Sequence, residues 1–221
     1  MASAMGEIVS VSLAATASQP GRGVPTGIGK VPAQGPERVA APGPAGTGGS
    51  GLAGDTVCDL DSHGGDDQAV YAYAREDLDW WEGELGRDLP DGLFGENLTV
   101  RGAEVTGALV GERWRVGPRL VLEVAAPRIP CWKFAEQMRE PRWVRRFTEG
   151  GRPGAYLRVL TPGEVCAGDR ITVESRPSHA VTIGVFFQAL TTHPQLLAGL
   201  LAAGDALSAE HRETIARRTG S

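Results

Sequence analysis

The chain predicts a mainly β fold, a barrel or a sandwich, with a small helical appendage at its C-terminal end. Short β-type runs punctuated by Gly- and Pro-containing turns recur as far as residue 174. From residue 182 onward the character changes to apolar residues at helical spacing between helix-boundary signals. A length of 221 residues with 41% hydrophobic side chains is enough to bury a core.

Taken in order, residues 8–13 alternate, with Val9, Val11 and Leu13 on one face, which predicts a first strand. Gly, Pro and Ala dominate residues 20–54, and 41–50 is nearly featureless, so this stretch reads as loop with a flexible insertion. A short strand follows at 69–73. Residues 76–85 carry Leu78, Trp81 and Leu85 at helical spacing and end at Gly86, a helix in which Trp81 belongs to the core rather than to a cofactor stack. Further strands are expected at 98–100, 113–116, 120–125, 156–160 and 170–174. Proline fixes φ and removes a ladder donor, so Pro127 and Pro130 stop the apolar run 120–126 and leave Cys131 just past a strand end. Three short helices fit the tail. The first, 182–190, competes with a strand at 183–187; the second opens on Pro194; the third follows Ser208, a good N-cap, with Glu210 favouring the positive helix end.

Composition narrows the function. A net charge of -5 argues against a nucleic-acid backbone as the main partner, because that partner demands a basic surface. No apolar run approaches the roughly 20 residues that span a bilayer. Ala15-Thr16-Ala17 imitates a signal cleavage site, but no basic residue precedes Arg22, and the expectation is a cytoplasmic protein. Cys58, Cys131 and Cys166 are an odd count at spacings that fit no zinc or iron–sulfur motif, which points to reduced thiols. Gly46-Thr47-Gly48-Gly49-Ser50-Gly51 formally matches the dinucleotide fingerprint, yet neither the preceding strand nor the following helix is present.

Four polar groups stand out, each with a plainer alternative beside the functional one. Lys30 follows two glycines in Thr26-Gly27-Ile28-Gly29-Lys30, suited to an anion but lacking the phosphate-loop pattern; the alternative is a solvated lysine. His63 precedes Gly64 and Gly65, which let a backbone approach a ligand closely; the alternative is a turn with a surface histidine. Asn97, in Gly92-Leu93-Phe94-Gly95-Glu96-Asn97-Leu98, either caps a turn or hydrogen-bonds a ligand. Arg128, three residues before Cys131, can bind a phosphate, lower the thiol pKa, or serve as a surface salt-bridge partner.

Together and in this order the pieces resemble the MOSC-domain family of molybdenum-cofactor proteins, in particular its bacterial 6-hydroxylaminopurine resistance branch. The matching residues are Thr26-Gly27-Ile28 with Lys30, Gly51-Leu52-Ala53-Gly54-Asp55, His63-Gly64-Gly65, Ala69-Val70-Tyr71-Ala72-Tyr73, Phe94-Gly95-Glu96-Asn97-Leu98-Thr99, Pro127-Arg128-Ile129-Pro130-Cys131 and Gly168-Asp169. The stretch 41–50 and Cys58 depart from the pattern.

The resemblance implies a MOSC β-barrel-like domain over 1–178 that binds the molybdenum cofactor (molybdopterin), followed by a small three-helix C-terminal domain over 179–221. It implies that Cys131 ligates the metal and is the catalytic residue, a soft thiolate suiting a metal already held by dithiolene sulfurs. It makes Lys30, His63, Gly64, Gly65, Asn97 and Arg128 candidates to hold the pterin and its phosphate, and leaves Cys58 and Cys166 structural. The implied activity is detoxifying reduction of an N-hydroxylated small-molecule substrate, such as a hydroxylamino base analogue, to the amine. With no flavin or nicotinamide motif in the chain, electrons are expected from an external flavoprotein or ferredoxin-type donor docking on an acidic or mixed surface around the pocket. The alternatives are a non-catalytic cofactor carrier or sulfur-transfer module, and a scaffold whose helical tail is a protein-interaction unit.

Overall fold

The computed structural model describes residues 4–18 and 23–220; the first residues of the Gly- and Pro-rich stretch, with Arg22, lie outside the described residues. Strands β1 (Ala4–Leu13), β2 (Val31–Pro32), β3 (Glu37–Val39), β4 (Val70–Ala74), β5 (Leu98–Arg101), β6 (Arg113–Val116), β7 (Leu120–Pro127), β8 (Ala155–Thr161), β9 (Gly163–Val165) and β10 (Arg170–Ser175) alternate with helices α1 (Arg75–Leu85), α2 (Trp132–Met138), α3 (Trp143–Gly150), α4 (Ile183–Thr191) and α5 (Ala209–Thr219).

Seven strands run in the order β10-β6-β7-β8-β4-β5-β1, and β1 pairs back onto β10, closing a barrel that β2 extends. Closure removes the exposed edges that a seven-stranded sheet would otherwise present. Every pairing around the ring is antiparallel except β4 with β5, and α1 is the crossover that a parallel pair needs. β3 and β9 form a separate two-stranded sheet. Alternate residues of the barrel strands fill one core, including Ile8, Val100, Leu122 and Leu157, and Phe186, Leu200 and Ile215 of the tail helices belong to the same cluster.

A second core lies outside the barrel, where α1, α2 and α3 pack aromatic side chains on the outer face of β4. Trp81, Phe94, Phe134, Trp143 and Phe147 are each at most 2% exposed. Trp81 stacks on Phe147 with centroids 6.0 Å apart, and Phe134 meets Phe147 edge-on at 5.0 Å. Trp81 is thus core, as its spacing predicts.

The tail keeps the three expected segments with one change of type. The first is a helix and not a strand, and Thr182 caps it by accepting from the Val185 amide. The second, Pro194–Ala206, is wound as a 3-10 helix broken at Gly204, which suits buried Leu197, Leu200 and Ala203 at intervals of three. Ser208 caps the third by accepting from the His211 amide. The helices α2 and α3 are not announced by any clean period, because their buried residues, Phe134 with Met138 and Trp143 with Phe147, amount to one turn of spacing each. No helix among the described residues is long and apolar enough to cross a membrane.

Phe147→Ala empties the middle of the aromatic cluster. The expected cost is about 3–5 kcal/mol in urea denaturation, with loss of near-ultraviolet circular dichroism.

Candidate functional site

Strand β7 ends at Pro127, three residues pass without regular structure, and Cys131 then opens α2 in an extended conformation, φ -119 and ψ 172. The sequence-predicted position just past a strand end is therefore what the fold builds. The thiol is half-buried. Burial by itself raises its pKa, but the His63 imidazole, the charge of Arg128 and the Phe134 amide outweigh burial and bring it down to about 7. Near neutrality a large fraction of Cys131 is thiolate.

Arg128 is 5% exposed and its guanidinium lies over two rings, 4.3 Å from the Phe134 centroid and 5.1 Å from that of Tyr71. It donates to the Phe94 carbonyl, yet its Nε has no hydrogen-bond partner and no carboxylate pairs with it among the described residues. The counter-charge that Arg128 does meet is the Cys131 thiolate whose pKa it lowers, and contact with the ring faces adds about 2 kcal/mol. The surface salt-bridge alternative is excluded by this burial.

Asp55, with 1% of its side chain exposed, is the hub of a second polar group in the pocket lining. Both its oxygens lie 2.5 Å from Lys30 Nζ, and it accepts from the Ala14 amide and from Asn97 Nδ2. Burial pushes the Lys30 ammonium pKa down, and Asp55 works against that shift. Asn97 spends its whole amide on protein: Nδ2 reaches the Ser12 carbonyl and Asp55, and Oδ1 accepts from the Tyr71 amide. These bonds clip β1, β4 and Asp55 together, with Asn97 still part of the pocket lining.

Lys30, His63, Gly64, Asn97 and Arg128 all line one pocket, and Cys131 adjoins it through His63 and Arg128. Gly65 does not line it. A Cβ on Gly65 would meet the Ala45 backbone at 2.7 Å, and one on Gly64 would meet the Gly48 and Gly49 carbonyl oxygens at 2.8 Å, so these glycines admit the stretch 41–50. That stretch lies against them, with the Gly65 amide bonded to the Gly49 carbonyl and the Gly46 amide to that of Leu60. Lys133, two residues past Cys131, reaches Asp59 at 2.9 Å and ties α2 to the segment carrying His63. Sequence reasoning missed Asp55, Asp59, Lys133, Tyr71 and Tyr156; Asp55 and Tyr71 stand within the motifs quoted above, but nothing in their neighbours marks them as site residues. Cys58 is exposed and lines the same pocket, whereas Cys166 sits in the turn before β10, held by Asp169.

No three His, Cys, Asp or Glu side chains cluster as a metal cage among the described residues. A single low-pKa thiol and a buried guanidinium with no carboxylate partner among the described residues instead suit a metal that arrives with its own sulfur ligands and an anionic group, so these residues fit a pterin-bound molybdenum. Close by, Glu96 is fully buried; Oε1 accepts from the Gly92 amide and the Thr99 hydroxyl, Oε2 has no partner, and burial pushes its pKa up to about 7.

The MOSC domain pattern matches residues 59–172, more than half of the chain. Protein YflK of Bacillus subtilis is 36% identical over 130 residues, 59% of this chain and 58% of that protein. A protein of Gibberella moniliformis named Reductase is 34% identical over 138 residues, 61% of this chain and 24% of that protein. The chain thus spans just over half the length of the first relative and about a quarter of the second. The crystal structure of YiiM from Geobacillus stearothermophilus superposes with a TM-score of 0.75 at 27% identity, covering 96% of this chain and 98% of that one.

In a Cys58→Ala, Cys166→Ala background, alkylation of Cys131 by iodoacetamide is expected to be half-maximal near pH 7, and His63→Ala to move the midpoint upward. Glu96 gives a second expectation. Its folded pKa lies above its ordinary value of 4.5, so its contribution to stability is complete below that value and is lost as pH rises through about 7. Glu96→Gln cannot ionise and should gain on the wild type by about 3 kcal/mol between about pH 4 and about pH 8 in urea denaturation.

Proposed function

This chain belongs to the MOSC-domain family, and on that premise we propose that it is a molybdenum-cofactor-dependent reductase of N-hydroxylated compounds. The observation that carries the reading is a half-buried thiol, its pKa lowered to about 7, beside a buried guanidinium that has no carboxylate partner among the described residues and an unpartnered Nε. The similarity to YiiM and to a protein named Reductase supports it.

When bound, the molybdenum cofactor supplies the two-electron reduction of an N–O bond, turning R–NHOH with two electrons and two protons into R–NH2 and water. Cys131 ligates the metal through Sγ, kept as thiolate by His63 and Arg128. Arg128 neutralises the anionic group of the cofactor that its burial calls for. Lys30 and Asp55 hold a charged but internally balanced wall, and Asn97 fixes that wall to the barrel. The Lys133–Asp59 pair ties α2 to the segment that carries His63 at the pocket lining. In this reading the MOSC domain assigned to 1–178 binds the cofactor, and the helical tail over 179–221 supports it by sharing its core through Phe186, Leu200 and Ile215.

One observation favours the carrier or sulfur-transfer alternative: the exposed Cys58 lines the pocket that Cys131 adjoins. The two readings separate on turnover, since a carrier retains the metal without reducing substrate.

For protein made in a cofactor-competent host, Cys131→Ala is expected to lose 6-hydroxylaminopurine reduction with reduced viologen as donor by at least about a thousandfold, at nearly wild-type stability. Cys58→Ala and Cys166→Ala should retain molybdenum and activity. Loss of metal in Cys166→Ala with retention in Cys131→Ala would move the site elsewhere.

A further inference from the structure

The surface beside Cys131 differs in charge from the rest of the chain. Residues 132–150, comprising α2, α3 and their turn, carry five basic and three acidic side chains, a net +2 in a chain of net -5. Two of the acids are answered within the face or its border: Glu140 is bridged by Arg87 and Arg146, and Glu149 by Arg145. Arg139 and Arg142 are exposed and form no ion pair among the described residues. They are also the two non-glycine residues with positive φ among the described residues, 55 and 54, a conformation that glycine or asparagine adopts more easily. Arginine stands at both bends of the turn, where shape alone would favour another residue.

Apolar surface is exposed on and beside these helices. Ile129 is 43% exposed and Trp132 41%, one on either side of Cys131, and Val144 of α3 is 40% exposed. Apolar area with a cationic rim has the composition of a transient protein–protein contact. Its position is equally specific, because Trp132 directly follows Cys131 and Ile129 precedes it by two residues.

We propose that the α2–α3 face is the docking site of a small acidic flavoprotein that delivers the electrons consumed beside Cys131. This rests on the reductase reading above and replaces the acidic or mixed dock expected from the sequence with a basic one. The overall step balances: a reduced flavin hydroquinone gives two electrons and two protons, R–NHOH becomes R–NH2 and water, and the flavin leaves oxidised. A second copy of this chain fits poorly, since a twofold contact would oppose two positive faces. A nucleic acid or an anionic membrane is extended and would also meet the net-negative remainder of the surface. A compact acidic protein seated on α2 and α3 meets fewer acids than such an extended partner, although α1 beside α3 carries Glu76, Asp77, Asp79, Glu82 and Glu84.

The test uses an FMN-loaded acidic flavodoxin as probe and three forms of the full chain: wild type, Arg139→Glu with Arg142→Glu, and a control, Arg217→Glu with Arg218→Glu, on the exposed end of α5. At low ionic strength calorimetry should show binding to wild type and control, about tenfold or more weaker binding to the Arg139, Arg142 pair, and weakening of all by salt. In cofactor-loaded protein, turnover driven by reduced flavodoxin should fall by the same factor in that pair, while turnover driven by reduced methyl viologen, which needs no dock, stays at the wild-type rate. Absence of flavodoxin binding to wild type overturns the proposal, as does equal loss in both charge-reversed pairs or binding that tracks self-association in sedimentation. Failure of viologen-driven turnover in wild type would instead remove the reductase reading, with the binding measurement still deciding the dock.

Discussion

The side-chain amide of Asn97 is the fastening on which the candidate site depends. It joins β1 through the Ser12 carbonyl, β4 through the Tyr71 amide, and the loop carboxylate Asp55, using both protons of Nδ2 and the carbonyl oxygen. Asp55 in turn holds Lys30 and the Ala14 amide. One buried network therefore sets the spacing between two barrel strands and fixes the loop that forms one wall of the pocket. Such networks hold a single geometry because leaving any member unpaired in a low-dielectric interior is costly.

The pocket lining around Arg128 is arranged on a different principle. There a charge has no carboxylate partner among the described residues: Arg128 sits against the Tyr71 and Phe134 rings, donates to the Phe94 carbonyl, and faces the thiol of Cys131. The barrel and the aromatic cluster outside it hold this arrangement, since Phe134 supplies one ring face and Phe94 the carbonyl. The same residue depresses the thiol pKa of Cys131 against the effect of burial. Folding stability and site chemistry thus meet in one side chain, which is the usual pattern where a pocket is preorganised for a charged ligand.

Glycine has an architectural use next to this pocket. Gly64 and Gly65 were natural candidates for a close approach to a ligand, and the close approach is real, but for Gly65 the approaching group is the chain itself at Ala45. The Gly- and Pro-rich stretch 41–50 becomes a support for the His63 turn through its bond from Gly65 to Gly49. A sequence shows that a backbone must come near something; it does not show what.

The sequence by itself determined the elements whose signals are local. The existence of β1, the capping serine before α5, the proline stop after β7 and the helical spacing of Leu78 and Trp81 are each written within a few neighbouring residues, and Cys131 was framed by its own prolines; the face expected for β1 was not, because a register shift between Ile8 and Ser10 puts Ile8 and Val11 in the core and leaves Val9 and Leu13 partly buried. The tertiary structure alone decided the closure of β1 onto β10, the two short helices α2 and α3, and the assembly of Asp55, Lys133, Tyr71 and Tyr156 around the pocket. Those depend on residues far apart in the chain. Whether a charge is answered by a carboxylate, as for Lys30, or only by a thiol and ring faces, as for Arg128, is a property of distances that no local pattern encodes.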